Sequence, residues 1–299
     1  MEDSDYHKKL FKGFLDKTSI DELYDRIEEF REIDLKTISD KELKKRIKQV
    51  ISYNLKNKSY GGSIVHITTF KTGTPFYRIR KFDTSDLNVV LNKMKTEKDA
   101  WEPPVVENRG RLNNIGESLL YTCPYSQETA IEEMKIKEGE IFALMTYEAK
   151  QDIEALKIGE WKENKSLSKE QNQKLRIINN FLITEFTKDV GIGTEYLYRV
   201  SEIITKDYFD FLPIEKQQAW CYPSVKLKKA YNVCFRPNIH KKALGLKGVS
   251  LCIIKRDNSE VRIGAMRAAI DFNDNGELIY NVPNDYNMNI LFPNPHSIN

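Results

Sequence analysis

The 299-residue sequence predicts an α+β fold. Three observations carry that expectation: two capped helical stretches at 19–57, alternating strands at 63–80, and a β-rich end over 249–282. The chain is 40% hydrophobic and 30% charged, an ordinary balance for a globular protein with a sizeable core. It contains no internal repeat and no low-complexity segment.

Ser19 with Glu22, and Ser39 with Glu42, have capping-box spacing, in which a hydroxyl and a carboxylate satisfy the loose amides of a helix start. Leu23, Ile27 and Phe30 follow the first cap at helical spacing; Leu43, Ile47, Val50 and Ile51 follow the second. The first helix is acidic and the second basic, so opposite charge favours packing one on the other; a nucleic-acid role for the basic helix is the lesser alternative. Gly61-Gly62 closes this N-terminal helical module, residues 1–60. The remainder, 61–299, reads as one catalytic domain interrupted by helices near 165–206.

Ser63–Phe70 is rich in β-branched residues and reads as a strand. After the Gly73–Pro75 turn, Phe76–Arg80 alternates with arginine on one face. Lys81–Trp101 is charged and helix-prone, and Glu102-Pro103-Pro104 forms a rigid extended lead-in. Leu119–Tyr121 is an apolar strand, Ser126 opens a short helix, and Ile141–Met145 is a strand before a charged, loop-like segment. Ser168 and Gln171 repeat the capping box ahead of the stripe Leu175, Ile178, Leu182 and Phe186, and Gly191 stops that helix. A further helix is expected from Thr194 to Lys206. Strands are expected at Ala219–Val225, Val249–Lys255, Val261–Phe272 and Glu277–Val282.

Several function classes find no support. A net charge of +3 supplies no global field for nucleic acid or anionic lipid. No apolar run approaches the roughly 18 residues of a membrane span, and the first residues lack the pattern of a signal peptide. Cys123, Cys221, Cys234 and Cys252 are scattered and read as buried thiols of a reducing compartment, so a cytoplasmic location is expected. Asp271, Asn273, Asn275 and Gly276 imitate the start of a calcium loop, but Val282 at the twelfth position cannot supply its carboxylate, and Asn275-Gly276 reads as a β-turn. Gly191-Ile192-Gly193 lacks the third glycine and the preceding strand of a dinucleotide fingerprint. His7, His66, His240 and His296 lie apart from one another and from the cysteines, so neither zinc nor a serine–histidine pair is expected. No metal is expected at all.

The stretch Arg109–Lys135 concentrates the remaining chemistry: a cation-rich turn, an apolar strand with one tyrosine, and a helix bearing Glu132 and Glu133. With residues on either side it yields the set Arg78, Arg111, Tyr121, Glu133 and Ser224. Guanidinium forks match pyrophosphate oxygens, and a tyrosine offers a flat face to an aromatic ring such as nicotinamide. A carboxylate stabilises an oxocarbenium-like centre as a sugar–nitrogen bond breaks, and a serine hydroxyl holds a ribose or phosphate oxygen. As single residues, such arginines and glutamates are more often solvated than catalytic.

Arg78 in Phe-Tyr-Arg-Ile, Gly110-Arg111-Leu112-Asn113 with Gly116, Leu120-Tyr121, Ala130-Ile131-Glu132-Glu133, and Tyr222-Pro223-Ser224-Val225 with Asn232 resemble, in order, the motifs of the RES domain. The resemblance covers about residues 64–255. It implies an ADP-ribosyltransferase-like split mixed β-core and an NAD-degrading toxin of a bacterial toxin–antitoxin pair. NAD is then the substrate, and inorganic phosphate or water the acceptor. Transfer of ADP-ribose to a protein or nucleic acid, and a non-catalytic module binding NAD or ADP-ribose, are the alternatives. Carried over by position, Arg78 and Arg111 grip phosphates, Tyr121 lines the nicotinamide side, Glu133 is the catalytic carboxylate with Glu132 its competitor, and Ser224 completes the pocket. Leu112 departs from the family's usual tryptophan, and the interval from Glu133 to Ser224 is long. For the N-terminal hairpin the implied roles are antitoxin docking or self-association into a homo-oligomer, beside plain stabilisation of the domain.

Overall fold

The computed structural model describes residues 12–55, 58–61, 66–104, 106–208, 210, 214–227, 229–257 and 260–293. Its elements are α1 (Ile20–Arg31), α2 (Asp40–Ile51), β1 (Ser52–Leu55), β2 (Lys58–Gly61), β3 (His66–Phe70), β4 (Pro75–Lys81), α3 (Leu87–Lys93), β5 (Leu120–Pro124) and α4 (Gln127–Glu133). Then follow β6 (Phe142–Ala149), β7 (Ile153–Lys157), α5 (Lys169–Thr187), α6 (Tyr198–Ile203), β8 (Ala219–Pro223), β9 (Tyr231–Phe235), α7 (His240–Ala243), β10 (Leu244–Asp257), β11 (Glu260–Ala269) and α8 (Asp285–Leu291). The fold is α+β. No helix among the described residues is long and apolar enough to cross a membrane.

The backbone forms two compact units. One comprises Met1–Ile67, Glu107–Gly116 and Leu156–Gln217, the other Thr68–Val106, Glu117–Ala155 and Gln218–Asn299. The helices expected as an N-terminal module and those expected as an insertion therefore share one unit.

In that unit the apolar stripes are buried as the periodicity predicts, including Leu23, Ile27 and Phe30 of α1 and Leu175, Ile178, Leu182 and Phe186 of α5. Phe30 meets Phe181 edge-on at 5.2 Å, which joins α1 to α5. Ser168 and Gln171 close both halves of their capping box, at 3.1 and 2.8 Å. Ser19 and Ser39 make only the first half, accepting the amides of Glu22 and Glu42 at 3.0 and 3.3 Å. The carboxylates go elsewhere: Glu22 pairs with Arg26, and Glu42 with Arg46 at 3.3 Å. A cation one turn along outcompetes a neutral amide. The expected 194–206 helix is divided into a 3₁₀ turn, α6 and a π-helical turn at Ile204–Tyr208.

The other unit is built on a nine-stranded sheet of order β11-β10-β6-β4-β5-β9-β8-β7-β3. From β11 across to β8 every neighbouring pair is antiparallel. The junction in the middle is narrow: β4 and β5 pair only at Phe76↔Pro124 and Tyr77↔Cys123. Beyond it β4 continues with β6, and β5 with β9. One core, containing Phe76, Trp101, Met145, Tyr147 and Phe235, covers one face. A smaller one, containing Tyr77, Ile79, Cys123, Ala130, Ile131 and Leu144, lies beneath α4 on the other.

Sequence patterning located most long strands but missed β7, in the segment read as a loop, β9, and the short β1–β2 pair, whose first strand lies inside the 19–57 stretch read as helical. The strand expected at Glu277–Val282 is reduced to isolated bridges, Phe272↔Leu278 and Ala268↔Asn281. The false calcium loop is a turn: Asn273 Oδ1 accepts the amides of Asn275 and Glu277, at 3.0 and 2.9 Å. The start of the first expected strand, 63–65, and the histidines His7 and His296 lie outside the described residues.

Gly248 sits where the β10–β6 register shifts, with φ +150°. A Cβ there would lie 2.3 Å from the carbonyl oxygen of Ala269. Gly248→Ala is expected to destabilise the protein by about 3 kcal/mol through overpacking, and Ser168→Ala by about 1 kcal/mol through loss of the cap. Denaturant unfolding of the two variants checks both values and their order.

Candidate functional site

The local rules that make α4 also explain where Glu133 ends up. Ser126 caps the helix by accepting the amide of Thr129 at 3.1 Å. Tyr77 hydrogen-bonds Gln127 at its first turn, and burial pushes the phenol up to about 12. The helix stops in a Schellman arrangement: the Lys135 amide donates to the Glu132 carbonyl at 3.1 Å and the Ile136 amide to that of Ile131 at 3.3 Å. Lys135 takes the left-handed conformation, φ 51°, usually reserved for glycine. Glu132 and Glu133 therefore stand in the last turn, where the exposed carbonyls favour cations over carboxylates.

Each glutamate is compensated differently. Glu132 pairs with Arg256 at 2.8 Å, and Arg256 also donates to the Ile136 carbonyl at 3.1 Å. Glu133 turns to the end of β8, where its Oε1 accepts the Ser224 hydroxyl and, at 2.9 Å, the Val225 amide. Among the described residues its Oε2 makes no hydrogen bond. The Ser224 oxygen in turn accepts the amides of Lys226 and Leu227, at 3.1 and 3.0 Å. This serine, buried to 8% exposure, has its proton and both lone pairs engaged. Its hydrogen bonds fix the orientation of the Glu133 carboxylate.

Side-chain alternation assigns the neighbours to faces. Cys123 belongs to the core under α4, so Tyr121, two residues earlier on β5, leaves by the same face and is half-buried there. On that face Asn232 Oδ1 accepts the Cys123 thiol at 3.1 Å. Burial, and secondarily the Glu133 charge, push this thiol's pKa well above its ordinary value. All four cysteines are buried, as expected, and form no disulfide.

Arg78 departs from β4 by the opposite face, in register with Met145. Its guanidinium donates to the carbonyl of Trp101. The Trp101 ring packs on Tyr147 at 5.1 Å and on His240 at 5.7 Å. His240 Nε2 lies 2.7 Å from Glu102 Oε2, and Lys241 lies 3.2 Å from Glu102 Oε1. Burial lowers the His240 pKa below its ordinary 6.5, against the opposing pull of Glu102. No spacing signal in the sequence links Trp101 and Glu102 with His240, because the histidine lies so far from its partners in the chain.

Arg111 belongs to the other unit. Its guanidinium donates to the Lys188 carbonyl at 2.9 Å and lies 5.1 Å from the centre of the Tyr198 ring. The turn around it is held by Ser201, which donates to the Arg111 carbonyl at 2.7 Å, and by the pair of Arg109 with Glu202. Leu112 is fully buried.

Thus Glu133 and Ser224 meet directly, Tyr121 shares their face, Arg78 lies across the sheet, and Arg111 is in a separate unit. A surface depression of about 380 Å³ bordered by Lys81, Asp83, Ser85 and Glu140 includes none of these residues. No protein-family profile matches this chain, and no curated protein matches it.

Two outcomes follow from the geometry. Ser224→Ala leaves the Lys226 and Leu227 amides without their acceptor and is expected to cost about 1–3 kcal/mol in denaturant unfolding. Acidification supplies the second. A histidine whose folded pKa is depressed binds its proton more readily when unfolded, so the stability it contributes is present above 6.5 and falls as pH drops through that value. Between about pH 7 and about pH 5 the wild type should lose more stability than His240→Gln, measured by unfolding at each pH.

Proposed function

We propose that this protein cleaves the nicotinamide–ribose bond of NAD, with inorganic phosphate or water capturing the sugar. The supporting observation is the Glu133 carboxylate, one oxygen held by Ser224 and the Val225 amide and the other left for a ligand. The order of motifs resembling the RES domain supports the same reading, as does the narrow junction between β4 and β5, the kind of parting expected of a split ADP-ribosyltransferase-like core. The proposed site uses the three candidate residues that share one sheet face, Glu133, Ser224 and Tyr121, and not Arg78 or Arg111.

In this reaction the bond between ribose C1 and the pyridinium nitrogen breaks, and its electron pair leaves with nicotinamide. The leaving group departs neutral and needs no proton, so the catalytic work is stabilising positive charge on the sugar. A fixed carboxylate does that without reorganising as the charge develops. Ser224 holds Glu133 in place and Tyr121 offers its ring to nicotinamide; Arg78, on the opposite face of the sheet, is left out of this pocket. Attack by a phosphate oxygen yields the 1-phosphate of ADP-ribose; attack by water yields ADP-ribose and a released proton. An antitoxin protein is the partner this reading brings with it.

Incubating the pure protein with NAD labelled in the adenosine half, with and without phosphate, tests the proposal. Free ADP-ribose or its phosphate is expected, with Glu133→Gln slower by about 100- to 1,000-fold at unchanged stability. Label on protein or nucleic acid instead would move the assignment to ADP-ribose transfer. Binding of NAD without turnover would leave a recognition module, and neither binding nor turnover would end the proposal.

A further inference from the structure

Asn232 of β9 lies on the face of the sheet that carries the Glu133–Ser224 pair. It stands opposite Tyr222 of β8, and the Ser224 amide donates to the Ala230 carbonyl at 2.8 Å, two residues away. Its Oδ1 accepts the thiol of Cys123, which belongs to the core beneath α4. That thiol stays a donor, because burial and then the Glu133 charge keep it protonated. The bond therefore fixes which end of the carboxamide meets Cys123 and turns Nδ2 away from it. Asn232 is 6% exposed, yet Nδ2 makes no hydrogen bond among the described residues and is not sealed from solvent. A nearly buried donor is costly unless something outside the protein accepts from it. The second open group on this face is Glu133 Oε2, an acceptor. One group only donates and the other only accepts. A hydroxyl does both at one oxygen and answers the two together; a phosphate, which accepts, or an ammonium, which donates, answers one.

We propose that Asn232 is a ligand-binding residue of the Glu133 site, donating from Nδ2 to the oxygen of a sugar hydroxyl that itself donates to Glu133 Oε2. Cys123 is its positioning residue: the thiol holds the carboxamide with the donor end outward and touches no ligand. The inference rests on the functional reading above in one respect, that the sugar is the ribose bonded to nicotinamide. The contact forms on binding and persists through the reaction, so it contributes to affinity and not to the chemical step.

The test follows the Asn232 side-chain amide resonances of the full-length, isotope-labelled wild type during titration with ADP-ribose, ribose 5-phosphate and nicotinamide. A saturable shift with both sugar ligands and none with nicotinamide is expected. Turnover of NAD supplies the second readout. Asn232→Ala should raise the Kd for ADP-ribose and the KM for NAD about five- to tenfold, with kcat within about twofold. Cys123→Ala, which frees the carboxamide to turn, should raise both constants by a smaller factor, and Cys123→Ser, which keeps a donor, should return them to within about twofold of wild type. If Asn232→Ala does not fold, the wild-type titration decides alone. NAD consumed with no shift at Asn232, a shift with nicotinamide only, or wild-type Kd and KM in a folded Asn232→Ala would overturn the proposal and leave the functional reading standing. A shift with the sugar ligands in a protein that consumes no NAD would uphold Asn232 and sink the functional reading. Neither shift nor turnover would end both.

Discussion

A carboxylate in the last turn of a helix faces the wrong end of the backbone dipoles, and α4 carries two of them. Glu132 is neutralised by Arg256. Glu133 is instead satisfied by a hydroxyl and a backbone amide, both uncharged, so its negative charge is oriented without being cancelled. That one choice of partner separates an ion-paired carboxylate from one whose charge no cation cancels. Much of the surrounding architecture serves it: the Schellman stop fixes the turn, Tyr77 anchors the start of the helix, and the end of β8 presents Ser224 and Val225 together.

The sheet supplies the second constraint. Two register pairs, with the Tyr125 amide on the Pro75 carbonyl at 3.0 Å beside them, join β4 to β5, so the strands bearing Arg78 and Tyr121 are tied near Tyr77 and Cys123 and diverge beyond. Alternation then sends the two side chains to opposite faces. Around Arg78 lie the buried Trp101, Tyr147 and His240 with the partly exposed Glu102; around Glu133 lie polar groups at the end of a strand. The electrostatic characters differ accordingly. One holds a cation against carbonyls and rings, the other an anion against amides.

The helical unit has its own logic, in which charged side chains repeatedly stitch distant segments. Arg199 reaches Asp40 and the carbonyls of Leu35 and Ile38, at 2.8, 2.9 and 2.7 Å, tying α6 to the turn before α2. Lys174 donates to the Leu15 carbonyl at 2.8 Å. Bonds from a cation to several carbonyls are specific in geometry and stronger than neutral ones. They help account for the N-terminal helices and the 156–217 helices forming one unit, although the chain separates them by about a hundred residues.

Local rules determined the helices and most of the strands, because capping hydroxyls, 3.6-residue stripes and β-branched runs act within a few residues. They failed where pairing partners decide: β7 and β9 are short, and the bridges near Leu278 never lengthen into a strand. Motif order pointed to Glu133 and Ser224, and Ala-x-x-Glu spacing favoured Glu133 over its competitor Glu132, but the partners of the two carboxylates were not legible. The fold brings Arg256 to one and Ser224 to the other, and only long-range packing could do so. The same is true of His240 and Glu102, 138 positions apart and 2.7 Å from each other in the folded chain. Sequence spacing specifies which side chains a helix or strand presents; which of them meet depends on the register and crossing of elements distant in the chain.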